Sequence, residues 1–82
     1  MMSVRVLFFA SLADLVGKKE LRLDASALTD VASVYSRCEQ DFPRLRDHRG
    51  SVMSALNSEF AGNGTPVRDG DEVAFFPPVS GG

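Results

Sequence analysis

The residues with the clearest chemical use occupy the last six positions of this 82-residue sequence. Two prolines cannot donate an N–H to a sheet, so they stop a preceding strand and hold the backbone extended. Two glycines then end the chain without a Cβ, which makes the end narrow. Six extended residues reach at most about 20 Å, enough to leave a small domain and enter a pocket in another protein. The pattern predicts an extended tail over residues 77–82, which reads Pro77-Pro78-Val79-Ser80-Gly81-Gly82.

The reacting group of such a tail is the carboxylate of Gly82. A carboxylate is a poor electrophile and reacts only after conversion to an activated acyl species such as an acyl-adenylate. Glycine offers the least hindered carboxylate for that conversion because it has no side chain. The activated acyl carbon can accept sulfide, giving a thiocarboxylate, or an amine, giving an isopeptide. In either case Gly81 and Gly82 are a substrate for another protein.

The rest of the sequence has no residue pattern typical of an active site. The one histidine, His48, falls in a charged stretch and is interpreted as a solvated loop residue. The one cysteine, Cys38, falls on the apolar stripe of a helix and is interpreted as a small core residue. Because neither a Cys–His pair nor a metal-ligand spacing is supported, we expect the chain alone to have no catalytic activity and to bind no cofactor.

Two charged clusters have simple structural interpretations. Asp69, Asp71 and Glu72 surround a glycine and are interpreted as turn residues, with attraction of a basic partner surface as the alternative. Arg44, Arg46 and Arg49 lack interleaved aromatic residues, and are interpreted as a solvated face. These clusters do not predict a metal, acid–base or RNA site.

The amino-acid composition limits the classes of protein to which this chain can belong. The chain is 44% hydrophobic and 24% charged with a net charge of −2, which indicates one ordinary globular domain with no electrostatic footprint for nucleic acid or an anionic membrane. Its apolar runs are too short to span a bilayer and its first residues do not resemble a leader. With a single cysteine, the expectation is a cytoplasmic protein.

The elements that would position the tail alternate between short strands and one good helix. The helix is predicted over about residues 27–41, capped by Ser26 or Thr29 and ended by Pro43. Strands are predicted at residues 3–9, 20–23, 52–56, 59–61 and 72–76, with a helical turn at 10–16 and a charged connection at 44–50. The apolar stripe of the helix comprises Val31, Val34, Tyr35, Cys38 and Phe42.

A sheet of parallel strands needs a crossover helix between successive strands, and this sequence has one main helix. The pattern therefore favours an α+β fold, in which that helix covers one face of a mixed sheet of four or five strands. The first and last strands are the most apolar and are expected to be central and adjacent. Ubiquitin-like β-grasp domains have this architecture. The predicted organisation is a β-grasp domain over residues 1–76 and the tail over residues 77–82.

Strand parity separates two sets of apolar residues. One set faces the helix and forms the core: Val4, Val6, Phe8, Leu21, Leu23, Val73 and Phe75. The other set, Leu7, Phe9, Phe60 and Phe76, has no place under the helix and is expected on the uncovered face. Because Phe76 abuts the tail, we interpret this face as a partner interface.

The sequence resembles the small, sulfur-carrier subunits of molybdopterin synthase over nearly its whole length. Residues 6–10 read VLFFA, as in the opening strand of that family, and Asn57 stands at its Asn-containing turn. Residues 69–82 read DGDEVAFFPPVSGG, similar to the C-terminal signature of the family without a break. Val67 stands where leucine is usual, and residues 44–51 do not follow the family pattern.

That resemblance implies a mechanism. An adenylyltransferase similar to ubiquitin-activating enzymes would use ATP to adenylate Gly82, and a sulfur-donor protein would leave a thiocarboxylate there. The tail would enter the large synthase subunit, within a heterotetramer, and give its sulfur to cyclic pyranopterin monophosphate. The partner contacts implied by the resemblance are at Phe9, Phe60 and Phe76, with Pro77, Pro78, Val79 and Ser80 in the inserted tail. Two alternatives stay open: a carrier for thiamine thiazole synthesis or for tRNA or protein modification, and a plain interaction module.

Overall fold

The computed structural model describes residues 3–78 and contains a five-stranded mixed sheet, two α-helices and one 3₁₀ helix. The strands pair in the order β2-β1-β5-β3-β4; β1 and β5 are parallel and the other neighbours antiparallel. The elements are β1 (Ser3–Phe8), α1 (Ser11–Val16), β2 (Glu20–Asp24), α2 (Val31–Asp41), the 3₁₀ helix (Pro43–His48), β3 (Met53–Leu56), β4 (Glu59–Ala61) and β5 (Glu72–Phe76). The α+β, ubiquitin-like β-grasp prediction is confirmed.

The two most apolar strands lie at the centre of the sheet, as the sequence predicts. In the parallel β1–β5 pair, Val6 is opposite Val73 and Phe8 is opposite Phe75. All four side chains are buried on the face that α2 covers, because every second residue of a strand points to the same side. On the helix, Tyr35 meets Phe75 edge to face with ring centroids 5.1 Å apart. The predicted parity of the core is therefore confirmed.

The predicted start of the main helix is wrong. Helix α2 begins at Val31, and its N-cap is Asp30 rather than Ser26 or Thr29. Asp30 accepts a hydrogen bond from the Ser33 N–H at 2.8 Å, and the Ser33 hydroxyl accepts one from the Asp30 N–H at 3.1 Å. This reciprocal capping box satisfies helix-end donors that would otherwise lack partners. A bridge between Asp30 and Pro66 ties the start of the helix to a distant loop.

The predicted charged connection after α2 is also wrong, because Pro43–His48 forms a 3₁₀ helix. Leu45 points into the core and is fully buried, and its carbonyl accepts a 2.6 Å hydrogen bond from the hydroxyl of Tyr35. Residue His48, expected to be a solvated loop residue, ends this helix and is half-buried. The 3₁₀ helix therefore covers one end of the hydrophobic core with the side chain of Leu45.

Leu45→Ala should lower the free energy of unfolding by about 2–5 kcal/mol, the usual cost of truncating a fully buried leucine. Chemical denaturation followed by circular dichroism measures this change. Arg44→Ala, at the exposed neighbouring position, is the matched control and should change the same quantity by less than about 0.5 kcal/mol. Equal effects of the two substitutions would contradict the placement of Leu45 in the core.

Candidate functional site

The sheet face opposite α2 divides into a charged half and an apolar half. At the charged end, Arg5 of β1 lies opposite Glu72 of β5 and forms an ion pair with it. Toward the C-terminal ends of β1 and β5, the residues whose side chains point away from α2 are hydrophobic. We call this apolar half the open face; it comprises Leu7, Phe9, Met53, Phe60 and Phe76.

Three large side chains of the open face are exposed to an unusual degree. Phe60 is 78% exposed, Phe9 49% and Met53 37%. Phe60 and Phe76 lie with ring centroids 5.9 Å apart, and Met53 is the strand partner of Phe76. The exposed Phe60 ring beside the half-buried Phe76 ring, with Phe9 and Met53 exposed on the same face, forms a patch of the kind that protein partners cover. The predicted separation of these residues from the core is confirmed, while their role in partner binding stays a prediction.

A tight hairpin presents Phe60 to the open face. Asn57 and Ser58 connect β3 to β4 with φ of 50° and 73°, the left-handed backbone that a two-residue hairpin turn requires. Asn57 also accepts a hydrogen bond from the Glu72 N–H at 2.9 Å and donates one to Asp71 at 3.0 Å. The Asn57 donor, with the Arg68 N–H, lowers the pKa of Asp71 below its ordinary value. The hairpin is thus fastened to the base of the strand that leads to the tail.

The tail begins at the apolar end of the sheet. Strand β5 pairs as far as Phe76, and the Phe9 N–H donates to the carbonyl of Phe75 at 3.1 Å, so the open face lies beside the point where the strand stops. Pro77 is half-buried and Pro78 is exposed. The predicted functional residues Val79, Ser80, Gly81 and Gly82 lie outside the described residues.

The acidic residues before β5 form a turn, as predicted. Asp69 accepts a 2.7 Å hydrogen bond from the Ser3 N–H, Asp71 accepts one at 2.8 Å from the Arg68 N–H, and Gly70 has φ +86°. A positive φ of this size favours glycine. Across residues 3–78, His, Cys, Asp and Glu form no group of three that could hold a metal ion.

The interpretation of the arginine cluster as a solvated face is confirmed, since all three side chains are exposed, but Arg49 in addition pairs with a buried carboxylate. Its Nε donates to Glu39 at 2.9 Å, its Nη2 also pairs with Glu39, and the same Nη2 donates to the Ser36 hydroxyl at 3.1 Å. Glu39 is only 4% exposed, so its carboxylate depends on this partner for compensation of its charge. The other two members, Arg44 and Arg46, are exposed as expected.

Cys38 lies in the core, as the sequence predicts. Its side chain lies on the buried side of α2 and is 1% exposed. Burial raises the pKa of its thiol to about 12, with the Asp41 charge as a smaller contribution. The reactive thiolate is therefore scarce at neutral pH.

Cys38 should react with a thiol reagent such as dithionitrobenzoate at pH 8 only after unfolding, with a rate at least about 100-fold lower in buffer than in denaturant. The pKa of the Cys38 thiol in the folded protein lies above the ordinary value of about 8.5 for an unfolded chain. The protonated thiol therefore contributes its full stabilisation below about pH 8.5, and this contribution declines as the pH rises toward the folded-state pKa. Rapid labelling of the native protein would contradict the buried position.

Within the part of the chain from residue 3 to residue 78, no helix has the length and apolar character needed to cross a membrane.

Fold and surface together define a ubiquitin-like β-grasp domain with an apolar face at the root of its C-terminal segment. A model of the ThiS family matches residues 6–82, and the chain belongs to that family. The molybdopterin synthase sulfur carrier subunit of Mycobacterium tuberculosis is 39% identical, with 100% of both chains covered. The subunit of the same name from Escherichia coli is 36% identical over 96% of this chain and 99% of its own. The resemblance to these sulfur-carrier subunits is confirmed.

Solved structures agree with this assignment. Small archaeal modifier protein 1 of Haloferax volcanii has a TM-score of 0.84 at 26% identity, covering 96% of this chain and 100% of its own. A protein–protein complex of subunits 1 and 2 of the molybdopterin-converting factor from Helicobacter pylori contains a chain with a TM-score of 0.68 at 27% identity, covering 99% of this chain and 100% of that one.

Proposed function

We propose that this chain is a sulfur carrier in molybdenum cofactor biosynthesis and that its Gly82 carboxylate carries the sulfur. The observation that supports this most strongly is the unbroken run from β5 through Phe76 into the Pro-Pro and Gly-Gly residues, beside an exposed apolar face. Curated relatives named as molybdopterin synthase sulfur carrier subunits, similar over their full length, support the pathway. The chain itself binds no cofactor in this proposal.

The chemistry proceeds in three steps. A Gly82 carboxylate oxygen attacks the α-phosphate of ATP on an adenylyltransferase similar to ubiquitin-activating enzymes, and pyrophosphate leaves. Sulfide sulfur from a donor protein then attacks the acyl carbon, AMP leaves, and a thiocarboxylate remains. On the large synthase subunit the sulfur attacks a carbon of cyclic pyranopterin monophosphate, the C–O bond at that carbon breaks and its oxygen leaves with the bonding electrons, and hydrolysis of the acyl–sulfur bond restores the Gly82 carboxylate. Two such transfers supply the two sulfurs of the molybdopterin dithiolene.

The open face is the surface through which the carrier binds the large subunit. Phe9, Phe60 and Phe76 supply an aromatic centre of the type that dominates binding energy at protein interfaces. Docking there directs residues 77–82 toward the partner's active site, with Pro77 and Pro78 keeping the tail extended. The Helicobacter pylori complex of subunits 1 and 2 supports a large-subunit partner. Two copies of each subunit would form a cytoplasmic heterotetramer with the carriers at its ends.

Reconstitution tests the proposal. Thiocarboxylated protein mixed with the large subunit from the same organism and cyclic pyranopterin monophosphate should yield molybdopterin, detected as its fluorescent oxidation product. The carboxylate form of the same protein is the matched control and should yield none. Failure of the thiocarboxylated form to give product would assign the chain to another pathway.

A second candidate is protein modification through an isopeptide at Gly82. The likeness to small archaeal modifier protein 1 favours this alternative. In the host, conjugates larger than the chain itself and carrying its C-terminal peptide on lysine would support it. The full-length similarity to synthase subunits makes sulfur transfer the first choice.

A further inference from the structure

Phe60 is the most exposed large hydrophobic side chain of the open face, and its own packing does little to fix its position. It is 78% exposed, and its ring lies beside that of Phe76 at a centroid distance of 5.9 Å. Strand β4, which carries Phe60, has three residues and pairs with β3 alone at the edge of the sheet. An edge strand this short has few backbone hydrogen bonds to hold it. The position of Phe60 therefore depends on the turn that leads into β4.

That turn consists of two residues with left-handed backbone. Asparagine tolerates this conformation at Asn57, where φ is 50°. Ser58, at φ 73°, occupies the second position of the turn, where glycine is strongly preferred. The local sequence thus favours the closed turn only weakly. Contacts with the rest of the sheet are needed to keep it closed.

The residue that makes those contacts is Asn57. Its Oδ1 accepts a hydrogen bond from the Glu72 N–H at 2.9 Å, its Nδ2 donates to the Asp71 carboxylate at 3.0 Å, and its own N–H donates to the Glu72 carbonyl at 2.8 Å. Asp71 is fixed in turn, because its other carboxylate oxygen accepts from the Arg68 N–H at 2.8 Å and its carbonyl accepts from the Arg5 N–H at 3.0 Å. Since Arg5 and Glu72 belong to the two central strands β1 and β5, Asn57 ties the turn to the middle of the sheet.

We propose that Asn57 is a positioning residue for docking, which sets the affinity for the large subunit through Phe60. With the side chain of Asn57 bonded to β5, the hairpin presents the Phe60 ring beside Phe76 before the partner arrives. Without those bonds, binding also has to order the hairpin, and the cost of that ordering is subtracted from the affinity. This inference rests on the proposed docking of the open face. It adds to the aromatic anchors a polar residue that acts from the opposite end of the hairpin.

Calorimetric titration of the large subunit with the Asn57→Gly variant tests the inference. Glycine accepts the left-handed backbone, so this substitution removes the side-chain hydrogen bonds and leaves the turn conformation allowed. The affinity should fall about five- to tenfold, which corresponds to the cost of ordering a short loop with one or two side chains on binding. Asn63→Gly, the same change at an exposed position in the loop after β4, is the matched control and should bind as the wild type.

A double-mutant cycle with Phe60→Ala shows whether Asn57 acts through Phe60. Phe60→Ala should weaken binding by itself, and Asn57→Gly added to it should change the affinity by less than about twofold, since the hairpin then has no aromatic anchor to present. Ser58→Gly added to Asn57→Gly should restore most of the affinity, because Gly-Gly favours this turn without outside contacts. Thermal unfolding verifies that each variant is folded. If Asn57→Gly does not fold, Asn57→Asp replaces it, because aspartate keeps the acceptor for the Glu72 N–H and loses the donor to Asp71.

Comparison of these variants separates the inference from the docking on which it rests. If Phe60→Ala weakens binding while Asn57→Gly binds as the wild type, Asn57 does not position Phe60 and the inference alone is overturned. It is also overturned if Asn57→Gly weakens binding by the same factor with and without Phe60, or if Ser58→Gly restores nothing. If Phe60→Ala itself binds as the wild type, docking through Phe60 fails and the inference fails with it. Weakening by Asn57→Gly that disappears in the absence of Phe60, with the Asn63→Gly control unaffected, supports the inference.

Discussion

Deletion of Gly82 is expected to abolish sulfur transfer and to leave the free energy of unfolding unchanged. In the proposed chemistry the carboxylate of this residue receives the adenylyl group and then the sulfur. A chain that ends at Gly81 presents its carboxylate one residue short, about 3.3 Å from where the partner active sites expect it. Displacements of this size remove the geometry on which group transfer depends, so we expect at least about a 100-fold loss of molybdopterin formation.

A matched truncation at the other end of the chain gives the control. Deletion of Met1 also removes one terminal residue, and it lies outside the family match, which begins at residue 6. We expect that variant to form molybdopterin at the wild-type rate, and both truncated proteins to unfold at the wild-type denaturant concentration. Wild-type activity of the protein without Gly82 would show that the carboxylate of Gly82 is not the reacting group.

Phe76→Asp is expected to have the second largest effect, on binding to the large subunit. Its ring lies on the open face against Phe60, at the last paired position of β5, where the tail leaves the sheet. An aspartate there would bring an unpaired charge into an apolar interface, and losses at such central aromatic positions reach 2 kcal/mol or more. The affinity should therefore fall by about 30-fold or more, as measured by calorimetric titration.

The neighbouring phenylalanine provides the comparison. Phe75 points to the other side of the same strand and is 1% exposed, so Phe75→Ala should lower the free energy of unfolding by about 3–5 kcal/mol. Phe76→Asp should leave that free energy nearly unchanged. If Phe76→Asp unfolds the protein, Phe76 belongs to the core and the open face is not a docking surface.

Strand parity made most of the fold and of the open face predictable. The alternation in β1 places Val4, Val6 and Phe8 under the helix and turns Phe9 away, and the same rule applied to β5 separates Phe75 from Phe76. A period of two is a strong signal because a shift by one residue would expose the whole core face. The central position of β1 and β5 was predictable for a different reason, because they are the two most apolar strands.

The features that sequence reasoning missed depend on contacts distant along the chain. Ser26 and Thr29 are as good cap residues as Asp30, and the pairing of Asp30 with Pro66, 36 positions further on, decides the start of α2. Ser33 provided the one local clue, as the second member of the capping box. A prediction from local helix propensity does not include a contact between residues so far apart in the sequence.

The 3₁₀ helix escaped prediction for a related reason. Leu45 stands alone among charged residues, so no periodicity marks it as buried. The ion pair of Arg49 with Glu39 joins residues ten positions apart, one in α2 and one just after the 3₁₀ helix.

Intact-protein mass spectrometry of the chain purified from its own host shows whether Gly82 carries sulfur. We expect a fraction whose mass differs by one oxygen replaced by one sulfur, located by fragmentation to Gly82 and increased by incubation with the adenylyltransferase, ATP and the sulfur-donor protein. If the chain stays entirely in the carboxylate form under those conditions, Gly82 is not a sulfur carrier.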